Sequence, residues 1–257
     1  MKRSTASILL SLALLAGTAP VASFAAQQQA EAAASAPARA NLGSLRVSSE
    51  VRHIADWAVH SRDHSGLPFI IIDKVNARAV AFNAHGRVLR DAPVLIGMGT
   101  GDRYPPGVAE MDMYDLKPSQ RITPAGRYFA DEGRDLDGDR VLWVHYDSGV
   151  AIHKVPTKFT RQRRQERIRS ATPTDNRITY GCINVPREFF RNVVASAFDG
   201  TRGIVYVLPE TRPAQGVFGS YAVPPSGPQA SSAVALTGPS SMDPGVGRTP
   251  GSDSSPR

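Results

Sequence analysis

The sequence of 257 residues holds a single cysteine, Cys182. That excludes a disulfide within the chain and a thiolate-rich metal site. His145, His153 and Cys182 are too scattered to read as a zinc set, and no fourth ligand accompanies them. "DLDGDR" (Asp135 to Arg140) superficially suggests a calcium loop, but its glycine comes too early and its twelfth position is Tyr146 instead of glutamate, so it reads as a turn. No metal and no cofactor is expected. Long apolar runs are also scarce: beyond residues 8–16 nothing approaches the roughly 18 apolar residues of a membrane helix, so no transmembrane segment is expected. Aromatics make up only 7% and do not interleave with basic residues. The formal net charge of +7 therefore points away from nucleic acid and toward another anionic partner, such as a wall polymer.

What is present divides the chain by composition. Lys2 and Arg3 precede the apolar run Ile8 to Ala16, and Ser23 and Ala25 follow at cleavage spacing, so residues 1–25 read as a signal peptide and the mature protein as exported. No cysteine near that site could carry a lipid. Residues 26–45 read as an Ala/Gln-rich linker. Over 46–66 the spacing of Val51, Ile54, Ala55, Ala58 and Val59 behind a serine cap predicts a short helix. From Gln215 more than half of the residues are Pro, Gly or Ser, and 213–257 is expected to be a disordered tail. One domain remains, over 67–212.

Within it the dominant period is two. Phe69 to Asp73, Ala79 to Asn83, Val88 to Arg90 and Pro93 to Ile96 read as a meander, with turns at Asn76-Ala77 and His85-Gly86. Val141 to Tyr146 and Val150 to Val155 read as a hairpin that carries His153 to the end of a buried strand. "NVPREFFRNVVASAF" has Pro186 at a first-turn position and Phe190, Val193, Val194 and Ala197 on one face, which predicts a helix; Gly203 to Glu210 closes the domain as a strand. The fold class expected is mainly β with a few helices, and Cys182 is expected in a strand-to-helix turn with unpaired backbone N–H groups.

An unpaired thiol in an exported protein invites a reactive reading. A free thiol, with a pKa near ~8.5, is mostly protonated at neutral pH, and a base or cation nearby raises its reactive fraction. His153, after the apolar "VAI", is the expected base, with His145 on the facing hairpin arm as its competitor. Gly181 allows close approach of a bound carbonyl, and the N–H groups of Gly181 and Cys182 are expected to form an oxyanion hole. These parts describe acyl transfer through a thioester.

The run Thr179-Tyr180-Gly181-Cys182-Ile183-Asn184, with His153 upstream and Thr123-Pro124-Ala125-Gly126 before a central strand, resembles the L,D-transpeptidase (YkuD-type) family over roughly 68–210. The resemblance implies a YkuD-like β-sandwich of mixed sheets with a helix after the cysteine. It also implies a bacterial enzyme of the cell envelope, here the periplasm, that acts on peptidoglycan stem peptides. By position, Cys182 is the implied nucleophile and His153 its base; Gly181, Tyr180, Asn184, Lys154 and Arg177 are placed on the oxyanion and substrate side. Tyr180 stands where the family usually has histidine, and a phenol is no proton shuttle near pH 7. Lys154 stands where a small or hydroxylic residue is common; turned inward it favours thiolate, and His153 is then oriented by a backbone carbonyl. Residues 156–175 form an inserted basic segment, helical over Thr160 to Ser170, which is either a solvated face or a cationic lid over the cleft. Transpeptidase, thiol hydrolase and a silent peptidoglycan-binding module all remain open at this level.

Overall fold

The computed structural model describes residues 38–225, apart from 109 and 159. Helix α1 (Ser49–His60) starts where expected: Ser48 is extended, and its hydroxyl accepts from the Val51 N–H. Val51, Ile54, Ala55, Trp57 and Ala58 form the buried face.

The strands are β1 (Phe69–Asp73), β2 (Arg78–Phe82), β3 (Val88–Pro93), β4 (Ile96–Gly97), β5 (Gly126–Arg134), β6 (Arg140–His145), β7 (Val150–Lys154), β8 (Arg177–Thr179), β9 (Ile183–Val185) and β10 (Gly203–Val207). Eight of them form one mixed sheet in the order β3-β2-β1-β10-β5-β6-β7-β9, with β1–β10 and β7–β9 parallel; β4 and β8 form a separate parallel pair. The mainly-β class with mixed strands holds. Strand β5 serves both halves of the large sheet: Gly126 to Ala130 pair with β10, and Asp131 to Arg134 pair with β6.

Every residue of β1 and β10 is buried because both of their faces are covered, which is why they read as unbroken apolar runs. Ile70, Ile72, Val205 and Val207 join Leu142, Val144, Ile152, Ile183 and Val185 in one core, with Phe189, Phe190 and Val194 packed into it. Phe69, Ile71, Phe82, Ile204 and Tyr206 face α1 in a second core. The helical stretch after Pro186 runs as Arg187–Phe189, a π-turn Phe190–Val194, and Ala195–Ala197.

Two expectations are corrected at the edges of the domain and one within it. Residues 38–45 are part of the fold: Leu42 is buried, Asn41 bridges to Arg87, and Arg39 pairs with Asp56. Residues 213–225 are also ordered: Gln215–Phe218 is a helical turn, Ala214 is buried, and Phe218 lies against Trp57 and Tyr206. Both segments cover apolar surface of α1 and β10 that the composition reading left unpaired. The signal peptide and the remainders of the linker and tail lie outside the described residues. In the inserted segment the single expected helix is instead a 3-10 turn (Thr160–Gln162) and a short helix α2 (Arg164–Arg167), broken at Arg163, whose φ is +52°.

A buried charged cluster gathers around Lys74. Lys74, 1% exposed, donates to the carbonyls of Gly101 and Thr123 and to Asp102 at 3.0 Å, and lies 3.3 Å from Glu210. Burial pushes the Asp102 carboxyl up, but hydrogen bonds from Thr211, the Glu210 N–H and Lys74 prevail and hold it at about 2. The cluster ties the end of β1, the loop after β4 and the segment after β10 together.

Candidate active site

Cys182 lies between β8 and β9, not at a helix start; the helix begins five residues later at Arg187, so its free N–H groups are not what the thiol faces. Two threonines shape the turn. The Thr179 hydroxyl donates to the Cys182 carbonyl at 2.6 Å and accepts from the Gly181 N–H at 3.2 Å. The Thr123 hydroxyl donates to the Gly181 carbonyl at 2.8 Å while accepting from the Gly97 N–H at 2.9 Å. Thr123 of the Thr-Pro-x-Gly run is thus a clamp on the turn. Gly181 has φ +139°, and a Cβ there would sit 2.9 Å from the Ile122 carbonyl oxygen and 3.1 Å from the Tyr104 hydroxyl, so only glycine fits. The Gly181 N–H, expected as an oxyanion donor, is already bonded to Thr179.

Cys182 is half-buried. Its Sγ donates to the Gly149 carbonyl at 3.2 Å, at the mouth of β7. Burial pushes the thiol up; the Ala151 N–H and the Arg164 charge act the other way, and Asp135 adds to the rise. The sulfur therefore lies along the first residues of β7, the strand that two positions past Ala151 carries His153.

His153 is three-quarters covered, with Nδ1 3.5 Å from Asp135 Oδ2. Burial depresses its pKa, helped by Arg164; Asp135 and Asp139 oppose this. The imidazole is consequently neutral near pH 7, and the thiol is protonated. Asp135, read from sequence as a turn residue, occupies the place expected for a backbone carbonyl. Its other oxygen accepts from the N–H groups of Asp137 and Asp139, so the loop between β5 and β6 fixes the carboxylate. His145 turns elsewhere, bonding the Ser148 hydroxyl at 2.7 Å and meeting the edge of Tyr128.

The remaining expected residues separate. Asn184 is buried on β9 in register with His153, its backbone bonded both ways to Leu95 and its Oδ1 accepting from Arg164 Nη1 at 2.8 Å. Lys154 turns away from the thiol and pairs with Asp139 at 2.8 Å. Arg177 is not on the substrate side: it pairs with Glu210 and donates to the Gly99 carbonyl at 3.2 Å, inside the cluster around Lys74. Tyr180 lies beneath the Arg121 guanidinium, 3.9 Å from ring centroid to Cζ, with Tyr114 at its edge. Tyr104, not singled out by sequence, places its hydroxyl over the turn; burial and the nearby Cys182 raise its pKa, so it stays a donor. The signal for Asp135 and Tyr104 was absent, because each reaches the site across strands from a loop of ordinary composition.

Among the described residues no group of three or more His, Cys, Asp or Glu could hold a metal ion, and no helix is long and apolar enough to cross a membrane.

No curated protein matches the chain. The catalytic domain of an L,D-transpeptidase from E. faecium, solved by NMR, aligns at 17% identity over 55% of this chain and 95% of its own, with a TM-score of 0.34. An L,D-transpeptidase from Xylanimonas cellulosilytica aligns at 15% identity over 55% of this chain and 60% of its own, also at 0.34. The family model "L,D-transpeptidase catalytic domain" (YkuD) matches residues 68–207, from the start of β1 to the end of β10. The protein belongs to the YkuD family of L,D-transpeptidase catalytic domains.

Proposed function

We propose that this protein is an exported, cysteine-dependent L,D-transpeptidase that cross-links peptidoglycan stem peptides in the periplasm. The observation that carries the chemistry is the run of contacts Cys182 Sγ to Gly149 at the mouth of β7, His153 further along the same strand, and Asp135 at His153 Nδ1. Export rests on the N-terminal sequence, and the substrate class on family membership.

In this reading His153 Nε2, the nitrogen not facing Asp135, takes the thiol proton. The sulfur forms a bond to the carbonyl carbon that follows an L-centre of the donor stem. The Cys182 N–H and the Tyr104 hydroxyl receive the oxyanion, since the Gly181 N–H is engaged. The C–N bond breaks, the imidazolium returns its proton to the departing D-residue amine, and a thioester remains. An acceptor amine then attacks the thioester, loses its proton to His153 and restores the thiol. Both groups start neutral, so the sulfur becomes an anion only as its proton passes to His153.

Muropeptides incubated with wild type and with Cys182→Ala, then digested and weighed by mass spectrometry, test this. New dimers with wild type alone are the expected result. Shortened monomers without dimers make the protein an L,D-carboxypeptidase or thiol hydrolase, and identical profiles make it a silent peptidoglycan-binding module.

A further inference from the structure

The inserted segment carries Arg161, Arg163, Arg164, Arg167 and Arg169, and of these only Arg164 is buried, at 7% exposure. Burying a guanidinium is costly unless its surroundings make use of the charge. Here Nη1 donates to the Asn184 carboxamide at 2.8 Å and Nε to that of Gln162 at 2.6 Å. These two acceptors aim the group. Asn184 is pinned in turn by both of its backbone bonds to Leu95, and Ile168, one turn beyond Arg164, packs with Leu95, Val155 and Ile178. A rigid path thus leads from the insert to the strand that begins just after the nucleophile.

We propose that Arg164 is a positioning residue of the nucleophile: fixed by Asn184, its guanidinium stabilises the sulfur anion once the Cys182 proton has passed to His153. The proposal rests on the reading of Cys182 as nucleophile, and it gives the basic insert a role at the chemical step. The groups bearing on the sulfur are few. The Gly149 carbonyl and the Ala151 N–H come from β7, with His153 beyond them; Asp135 comes from the β5–β6 loop; Tyr104 comes from the loop after β4; Tyr180 adjoins it in its own turn. Arg164 favours the charged sulfur and disfavours a charged His153, whereas Asp135 does the reverse at both. The two opposite charges therefore divide the work, one holding the anion and the other the imidazolium.

Because the chain has one cysteine, intact mass after iodoacetamide treatment reports Cys182 alone. The experiment measures alkylation rate against pH for the full chain, with thermal unfolding as a check on the fold. Arg164→Gln is expected to raise the alkylation midpoint by about one pH unit, the usual size of a nearby charge effect. Arg164→Lys keeps the charge and is expected to stay close to wild type. Asn184→Asp leaves Arg164 in place, sets a carboxylate against it, and is expected to raise the midpoint as well. An unchanged midpoint in folded Arg164→Gln and Asn184→Asp overturns the proposal, as does Arg164→Lys shifting as far as Arg164→Gln. The readout needs no peptidoglycan: shifted midpoints without muropeptide products uphold this inference and reject the transpeptidase reading, whereas dimers with unshifted midpoints do the opposite.

Discussion

At the residue scale the turn around the thiol is set by sterics as much as by charge. Gly181 combines a positive φ with a carbonyl oxygen where a side chain would begin. Gly181→Ala is expected to cost about 1–3 kcal/mol and to displace the thiol; chemical denaturation and Cys182 alkylation measure the two effects, and full stability with unchanged alkylation would refute the steric account. Asp135 makes a different prediction. Its charge raises the proton affinity of His153 against the dominant effect of burial, so Asp135→Asn is expected to move the acid limb of the kcat/KM profile further below the ordinary histidine value near ~6.5. The same change should forfeit part of the roughly 10²–10⁴-fold that a general base supplies. An acid limb that stays in place would show that the carboxylate only shapes its loop. Cys182, His153 and Gly181 were legible because their residue types announce their chemistry. Asp135 was not, since a turn aspartate looks the same whether or not a histidine lies across from it.

At the scale of elements, apolar patterning located β1, β6 and β7 within one residue of their observed ends, and the start of β10, which ends at Val207 and not at Glu210. It missed β8 and β9, three residues each, whose lengths are too short to show a period. The insert was misread in form: charge and composition suggested one helix, whereas the left-handed Arg163 breaks it so that Arg164 turns inward. Ile168 anchors that arrangement against Leu95 and Val155. Ile168→Ala removes most of a buried side chain, worth about 2–4 kcal/mol in a core. Limited trypsin digestion is expected to cut faster between residues 161 and 169, with the cleavage sites read by mass spectrometry. Cleavage at the wild-type rate would mean that the segment is held by other contacts.

For the whole molecule, the Lys74 cluster couples the two ends of the catalytic segment. The folded Asp102 carboxyl sits at about 2, below its ordinary 3.8, so its contribution is complete above about pH 4 and is lost as pH falls toward 2. Asp102→Asn is expected to lower stability at pH 7 by about 3 kcal/mol, since Lys74 remains buried beside a weaker partner. The variant should also lose less than wild type between pH 5 and 3. Urea unfolding at these pH values measures both, and parallel losses would remove the carboxylate from the account. No sequence pattern revealed this cluster, because Lys74, Asp102 and Glu210 look like ordinary surface charges until the chain is folded, and Arg177 was assigned to the substrate side instead.

The position of β10 has a consequence for how the protein is made. It is the last of the described strands along the sequence, yet it stands between β1 and β5. Until it is in place, the folding chain can assemble only two disconnected ribbons, β3-β2-β1 and β5-β6-β7-β9, each with a naked apolar border where β10 should join. Closing that gap demands contacts between residues more than a hundred positions apart, which slows assembly and leaves it to the end.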